Sequence, residues 1–201
     1  FLSLGGEPIV QQYLSGSGIG CSVVSDCGKI VSSICHRRIR EYPIDGGPSS
    51  CCEAFRSPLL ESYAAKLVSH TRFTGLAMFE FKEDSAGNPH FLEINPRVWG
   101  SFPLVRVSKS GLPLRWFAVA WNKGNPNHCF TPPPSEFHTC KMQFAASDIM
   151  AAVGYLCHGE KRRALGALLD FFDPRVRDGL WELRDPKPGF KYYLSLISKR
   201  K

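Results

Sequence analysis

Residues 78–97 read MFEFKEDSAGNPHFLEINPR. Glu80 and Glu93 each lie between large apolar residues, in two short runs that predict β-strands. The stretch between the runs is rich in turn-forming residues, so the two strands are expected to form a hairpin. A register symmetric about the Ala86–Gly87 bond places Glu80 directly opposite Glu93. Because facing like charges on a sheet repel each other, the pair indicates a cation between them.

A divalent metal is the simplest such cation. Asn95 shares the face of Glu93, because side chains alternate along a strand. Two carboxylates and one amide oxygen are hard donors that suit magnesium, which takes its other ligands from phosphates and water. Arg97 joins this face if the strand continues past Pro96, and its guanidinium would hold phosphate oxygens. The alternative is a solvent-exposed hairpin face with two unrelated acids, and a slip of one residue would separate them.

Composition sets broad limits on the protein. The 201 residues are 43% hydrophobic and 21% charged, which is ordinary for one large globular domain or two small ones. We find no apolar stretch of about 20 residues, so we expect no membrane span. No signal-peptide pattern is visible, although a trimmed start could hide one. The eight cysteines include no C-x-x-C pair, which favours reduced thiols in a cytoplasmic protein over a zinc site. The sequence begins at Phe1 rather than Met, so we expect a piece of a longer chain.

The net charge of +7 fits an anionic ligand. Basic residues cluster at 36–40, 161–163 and 199–201. The first cluster differs from the other two because it lies in a strand-like segment, and the alternative to a ligand-binding role is a solvated strand end. The cations do not form one stripe with interleaved aromatic residues, which argues against a nucleic-acid-binding domain.

The remaining pattern predicts an α+β fold with a largely antiparallel sheet. Further strands are expected at 8–14, 21–24, 29–35 and 138–146, and helices at 58–70, 112–121, 164–172 and 191–198. Ser57 and Pro58 form a helix-start signal. Loops are expected at 40–50 and 122–136. The glycines at 16, 18 and 20 predict either a tight turn over 15–20 or a mobile flap over a nucleotide.

The order of these segments resembles the C-terminal half of an ATP-grasp domain. The segments that carry the resemblance are a VQQYL strand at 10–14, a glycine turn, two strands, HRR at 36–38, the GGPS loop at 46–49, a helix, FEF at 79–81 and EINPR at 93–97. The similarity is closest to carboxylate–amine ligases related to the large chain of carbamoyl-phosphate synthetase. It covers residues 1–120 as a C-terminal grasp subdomain, with 121–201 as a small α/β extension packed on it. Residues 173–179 carry a weaker similarity.

The resemblance implies a role for each candidate residue. It implies ATP and magnesium as cofactors, with manganese as a possible substitute. The implied metal ligands are Glu80, Glu93 and Asn95, and the implied catalytic residues are Arg97 and Arg38. The implied nucleotide-binding residues are Gln11, Gln12, Tyr13, Leu14, His36, Arg37 and Arg40, where Gln11 stands in place of a glutamate common in the family.

The implied reaction has two steps. ATP phosphorylates a substrate carboxylate, and an amine then displaces the phosphate to form an amide. The N-terminal half of the grasp, with its phosphate-gripping lysines, is not in this sequence. We expect it in the same longer chain or in a partner chain, and we expect the 201 residues alone to bind ATP weakly without turnover. The alternatives are a non-catalytic interaction module derived from a grasp half and, with less support, a nucleic-acid-binding domain.

Overall fold

The protein is described here by a computed structural model of residues 10–182 and 184–198. Its strands within these ranges form one seven-stranded sheet in the order β5-β4-β1-β2-β3-β6-β7. All neighbouring strands are antiparallel except β6 and β7. The strands are β1 Ser17–Asp26, β2 Lys29–Glu41, β3 Ser49–Phe55, β4 Gly75–Glu83, β5 Pro89–Asn95, β6 Cys140–Gln143 and β7 Val176–Asp178. The predicted α+β class with a largely antiparallel sheet is therefore confirmed.

Helices pack on both faces of this sheet. They are α1 Pro58–Thr71, α2 Pro103–Val107, α3 Leu112–Gly124, α4 Ala145–Cys157, α5 Lys161–Asp170 and α6 Lys187–Ser198. Helix α1 begins as predicted, because the Ser57 hydroxyl accepts a hydrogen bond from the Leu60 backbone N–H and Pro58 occupies the first turn. None of the described helices is both long and apolar enough to cross a membrane.

The two faces of the sheet have different coverings. On one face, Leu60, Ala64 and Val68 of α1 pack against a cluster that includes Cys21 and Phe79. On the other face, α2 and α3 cover the end of the sheet that carries Ile34, Met78 and neighbouring apolar side chains. The same face continues along the strands to Gly18, Gly20, His36, Arg38 and Glu80, because alternate residues share a face. Polar side chains therefore gather at the end of this face away from α2 and α3.

Several sequence expectations are wrong in their boundaries. The predicted strand at 8–14 is irregular over 10–14, and residues 8 and 9 lie outside the described ranges. The segment cannot form a hairpin with β1, the strand that follows it, because β1 already pairs on both sides, with β2 and with β4. The predicted turn over 15–20 is also wrong, since β1 begins at Ser17.

Other differences concern the length of elements. The loop expected at 40–50 contracts to 42–48, because β2 extends to Glu41 and β3 begins at Ser49. The strand expected at 138–146 shortens to β6, and α4 begins at Ala145. Three expected helices are present with shifted ends, as α3, α5 and α6. Strands β3 and β7 and helices α2 and α4 were not predicted.

Candidate functional site

The two acids face each other as predicted. Glu80 of β4 pairs directly with Glu93 of β5. Closer to the turn, Phe81 pairs with Phe91, which is one residue away from the symmetric register. Leu92 is the extra residue of a bulge that restores the alignment of the two acids. The prediction that Glu80 faces Glu93 is confirmed. The predicted symmetric register is wrong between the bulge and the turn, where residues 81–83 pair with 89–91.

Each carboxylate has one partner. Arg38 donates from Nη2 to Oε1 of Glu80 at 2.6 Å, and Asn95 donates from Nδ2 to Oε1 of Glu93 at 2.7 Å. Within the described residues, the second oxygen of neither carboxylate accepts a hydrogen bond. Glu80 is the more enclosed of the two, with 14% of its side chain exposed. The guanidinium of Arg38 offsets part of the repulsion between the acids, and the two remaining oxygens are available to a cation.

These side chains line one small cavity, which we call the acid cavity. It has a volume of 210 Å³, and its lining includes Glu80, Glu93, Asn95, Arg97 and Arg38. The three predicted metal ligands and both predicted catalytic arginines are therefore adjacent. Over residues 10–182 and 184–198, no group of three or more His, Cys, Asp or Glu side chains could hold a metal by itself. Glu80 and Glu93 would therefore hold a cation only together with further ligands of other kinds.

Two glycines of β1 leave room for His36 and Arg38, two side chains of β2. On β1, Gly20 pairs with His36 of β2 on one side and with Glu80 of β4 on the other. A Cβ atom at Gly20 would overlap the His36 ring, and a Cβ atom at Gly18 would lie 2.8 Å from Cδ of Arg38. The glycines therefore serve the close approach of side chains from β2, which neither the predicted turn nor the predicted flap described.

His36 is an uncharged neighbour of this site. The side chain is buried, with 4% of the residue exposed. Burial lowers the pKa of His36 to about 4, and the positive charge of Arg38 adds to this effect. His36 is therefore neutral at physiological pH. Burial also opposes the charge of Arg38, but the acids Glu80 and Glu41 outweigh it and raise the Arg38 pKa.

The rest of the predicted basic segment divides between two locations. Arg37 lies on the opposite face of the sheet, 5.1 Å from the ring centre of Phe55, and forms ion pairs with Glu83 at 3.0 Å and Glu53 at 3.7 Å. The structure thus does not bring Arg37 to the acid cavity. Arg40 follows an irregularity in β2 and pairs with Cys51, whereas Arg38 pairs with Cys52. Arg40 is buried and already has ionic partners.

We call the group around Arg40 the buried ion cluster. Arg40 donates from Nε and Nη2 to Asp148 of α4 at 2.9 and 2.7 Å, and from Nη2 to Asp170 of α5 at 2.6 Å. Ser50 donates to Asp148 at 2.9 Å, and Lys141 donates to Asp170 at 2.9 Å. Burial opposes the charge of Arg40, but these hydrogen bonds prevail and raise its pKa. The cluster fixes the α4–α5 pair to the sheet.

A second and larger cavity, the basic cavity, adjoins the first. It has a volume of 450 Å³ and shares Arg38 with the acid cavity. Its lining includes Tyr13, Gly18, Arg40, Glu41, Ile44, Asp45, Lys82, Tyr155 and Arg163. Tyr13 is the one member of the predicted adenine-binding segment in this lining, and its neighbours Gln11 and Gln12 are exposed while Leu14 is half-buried. Sequence reasoning assigned none of Lys82, Tyr155 and Arg163 to a site. No local motif marks Lys82 or Tyr155, and the basic cluster at 161–163 that contains Arg163 is typical of a solvated face.

A family model identifies the relationship of this chain. The model described as ATP-grasp in the biosynthetic pathway with Ter operon matches residues 6–143, which is more than half of the sequence. The chain therefore belongs to this ATP-grasp family. No curated protein matches the sequence.

Solved structures show more distant likenesses. A Campylobacter jejuni biotin carboxylase in complex with β,γ-ATP is 19% identical, with 63% of this chain and 28% of that chain covered at a TM-score of 0.46. The biotin carboxylase domain of Hydrogenobacter thermophilus 2-oxoglutarate carboxylase, with MgADP, ADP and bicarbonate, is 15% identical, with coverages of 64% and 30% and a TM-score of 0.48. A complete Rhizobium etli pyruvate carboxylase is 19% identical, with coverages of 49% and 10% and a TM-score of 0.38. The chain spans less than a third of the length of each of these structures.

Proposed function

We propose that this ATP-grasp chain supplies the acidic, phosphate-facing half of an ATP-dependent ligase that joins a carboxylate to an amine. The observation that carries the proposal is the acid cavity, where two facing carboxylates, an amide and two arginines line one small space. The proposal includes an N-terminal grasp half, in the same or a partner chain, that closes the nucleotide site. It also includes residues 1–120 as the grasp subdomain and 121–201 as its extension.

The acid cavity fits magnesium. Its donors, from Glu80, Glu93 and Asn95, are hard oxygens of the type that magnesium prefers, and manganese accepts the same donors. Two carboxylates are also the usual protein share for magnesium, because nucleotide phosphates and water complete its coordination. A bound magnesium would supply neutralisation of the charge on the nucleotide phosphates. The hydrogen bond from Asn95 orients Glu93 toward the cavity.

The arginines supply the rest of the charge. Arg38 is held by Glu80 and Glu41 at the boundary between the two cavities, where it would stabilise a phosphoryl group in transfer. Arg97 is exposed in the lining of the acid cavity and would hold the acyl phosphate. His36, which is buried near Arg38 and lines neither cavity, is neutral and adds no further charge. In this proposal residues 11–14 contact the adenine, and the cysteines take no part in the chemistry.

Equilibrium binding of ATP, with and without magnesium, tests this proposal. We expect the wild-type chain to bind ATP only with magnesium, and Glu93→Gln to weaken that binding by about tenfold or more, since one metal ligand loses its charge. Glu136→Gln is the matched control, because Glu136 is an exposed glutamate outside both cavities.

Two results would contradict the proposal. The first is ATP binding that does not depend on magnesium or is equally strong in Glu93→Gln. The second is magnesium-independent binding of duplex DNA with a steep dependence on salt, which would favour a nucleic-acid-binding domain instead.

A further inference from the structure

We infer that the basic cavity binds the carboxylate substrate of the proposed ligase and selects a substrate with two anionic groups, a dicarboxylate. This inference rests on the proposed function, which places phosphoryl transfer at the acid cavity. Arg38 lines both cavities, so a carboxylate beside Arg38 in the basic cavity would lie next to the transferring phosphate. A volume of 450 Å³ is in the range of small-molecule sites.

The sheet wall of the cavity offers an available cation. Lys82 pairs with Gly18 across β4 and β1, and no side chain of Gly18 covers it. Lys82 is half-buried, and within the described ranges it forms no ion pair. Arg38, beside it, is already paired with Glu80 and Glu41. A half-buried ammonium without a counter-ion favours an anionic ligand at this wall.

The helical wall offers a second cation. Arg163 of α5 stacks over the ring of Tyr155, with its Cζ atom 4.5 Å from the ring centre. Its Nη1 donates to Glu160 at 2.9 Å, whereas its Nε and Nη2 donate no hydrogen bond to another residue in the described part of the chain. A stacked guanidinium with a free edge is suited to bidentate binding of a carboxylate.

The two walls hold a fixed relation to each other. The buried ion cluster joins β2 to both α4 and α5, and Ile44 packs against the cluster of Ala151, Tyr155 and Ala164. The acids in the lining are Glu41, which pairs with Arg38, and Asp45, which is exposed. One cation on the sheet wall and one on the helical wall of the same cavity would each hold one anionic group of a ligand, which suits a dicarboxylate.

Calorimetric titration of the full chain with simple acids tests the inference. The probes are the dicarboxylates succinate, glutarate and adipate, and the controls are the monocarboxylates butyrate, pentanoate and hexanoate of the same carbon number. Each titration is performed with and without MgATP. We expect at least one dicarboxylate to bind about tenfold more tightly than its monocarboxylate, the factor expected for one charge-assisted hydrogen bond.

Variants locate the site. Arg163→Gln and Lys82→Gln should each remove most of the preference for the dicarboxylate, while MgATP binding by Arg163→Gln stays unchanged. Arg162→Gln is the matched control. It also removes one positive charge from α5, but Arg162, which directly precedes Arg163, does not line the cavity. Equal effects of Arg162→Gln and Arg163→Gln would mean that the preference for the dicarboxylate reflects the overall charge of the protein rather than contacts in the cavity. That result would overturn the inference.

Other results separate this inference from the proposed function. The absence of a dicarboxylate preference in the wild-type chain, with and without MgATP, would overturn the inference and leave the metal site untouched. Loss of MgATP binding in Arg163→Gln would assign the basic cavity to the nucleotide and also overturn it. Conversely, the dicarboxylate preference could depend on Arg163 while ATP binding is unchanged in Glu93→Gln. That result would contradict the proposed function and leave the basic cavity as an anion-binding site.

Discussion

Replacing Asp148 with Asn removes a charge from the centre of the buried ion cluster. Asp148 has no exposed surface, and it accepts hydrogen bonds from Arg40 and Ser50. In Asp148→Asn the amide keeps the shape of the side chain but cannot offset the guanidinium charge. The variant therefore leaves a buried arginine with only Asp170 as its ionic partner.

The expected loss of stability follows from this geometry. Removing one partner of a buried ion pair costs about 3–5 kcal/mol, because the remaining charge is uncompensated. Asp170 still contacts Arg40 at 2.6 Å, so we expect the lower end, about 3 kcal/mol. For a chain of this length that corresponds to a fall in Tm of about 6–12 °C. The control Glu136→Gln breaks an ion pair whose side chains are 61% and 77% exposed, and should cost about 1 kcal/mol or less.

Thermal unfolding followed by circular dichroism measures both variants. The double variant Arg40→Met with Asp148→Leu adds a second test, since replacing a whole buried ion pair by apolar side chains is often neutral. It should recover much of the stability that Asp148→Asn loses. A Tm for Asp148→Asn within the error of the Glu136→Gln control would refute the reasoning, because it would mean that the cluster is hydrated or does not join the helices to the sheet.

Three further predictions concern stability and thiol reactivity. The pKa of His36 falls from its usual 6.5 to about 4, so the unfolded chain binds more protons between these values and the free energy of unfolding drops by about 3 kcal/mol as the pH is lowered through this range. Denaturant unfolding of His36→Gln should show a smaller drop, and an equal drop would contradict the assignment. Gly20→Ala should lower the free energy of unfolding by about 1–3 kcal/mol, because the added methyl group would overlap His36. Gly166→Ala, in open space within α5, should instead raise it by about 0.5–1 kcal/mol. Similar effects of the two variants in denaturant unfolding would argue against the close approach of His36 to Gly20. A thiol reagent should modify the exposed cysteines of the native protein first, and mass spectrometry identifies them; they are Cys27, Cys129 and Cys157. Early modification of the fully buried cysteines would be inconsistent with the fold.

Local patterns made part of the fold and site predictable. Alternation of apolar and polar residues located β4 and β5, and the turn between them brought Glu80 opposite Glu93 despite the bulge. The start of α1 was predictable because Ser57 and Pro58 act within one turn of the helix. Such features depend on residues that are near one another in the sequence.

The features that sequence reasoning missed depend on distant contacts. Arg40 was interpreted as a nucleotide ligand because it lies in a basic segment, but its partners Asp148 and Asp170 are 108 and 130 residues further along the chain. No local pattern pairs these residues. Strand β7 has three residues, and its pairing with β6 rather than its own sequence defines it. The basic cavity was missed for the same reason, since its two walls come from opposite parts of the chain.

The glycines of β1 connect sequence to site most directly. Neighbouring strands are about 4.8 Å apart, so side chains on β2 and β4 are separated by about 10 Å with β1 between them. A side chain at Gly18 would displace Arg38, whose Cδ atom lies 2.8 Å from the position of the added Cβ. Because Arg38 bridges that distance to reach Glu80 at 2.6 Å, its displacement would leave Glu80 opposite Glu93 without its guanidinium partner. Gly18 lines the basic cavity and contributes no side chain, yet the arrangement of charges in the acid cavity depends on it.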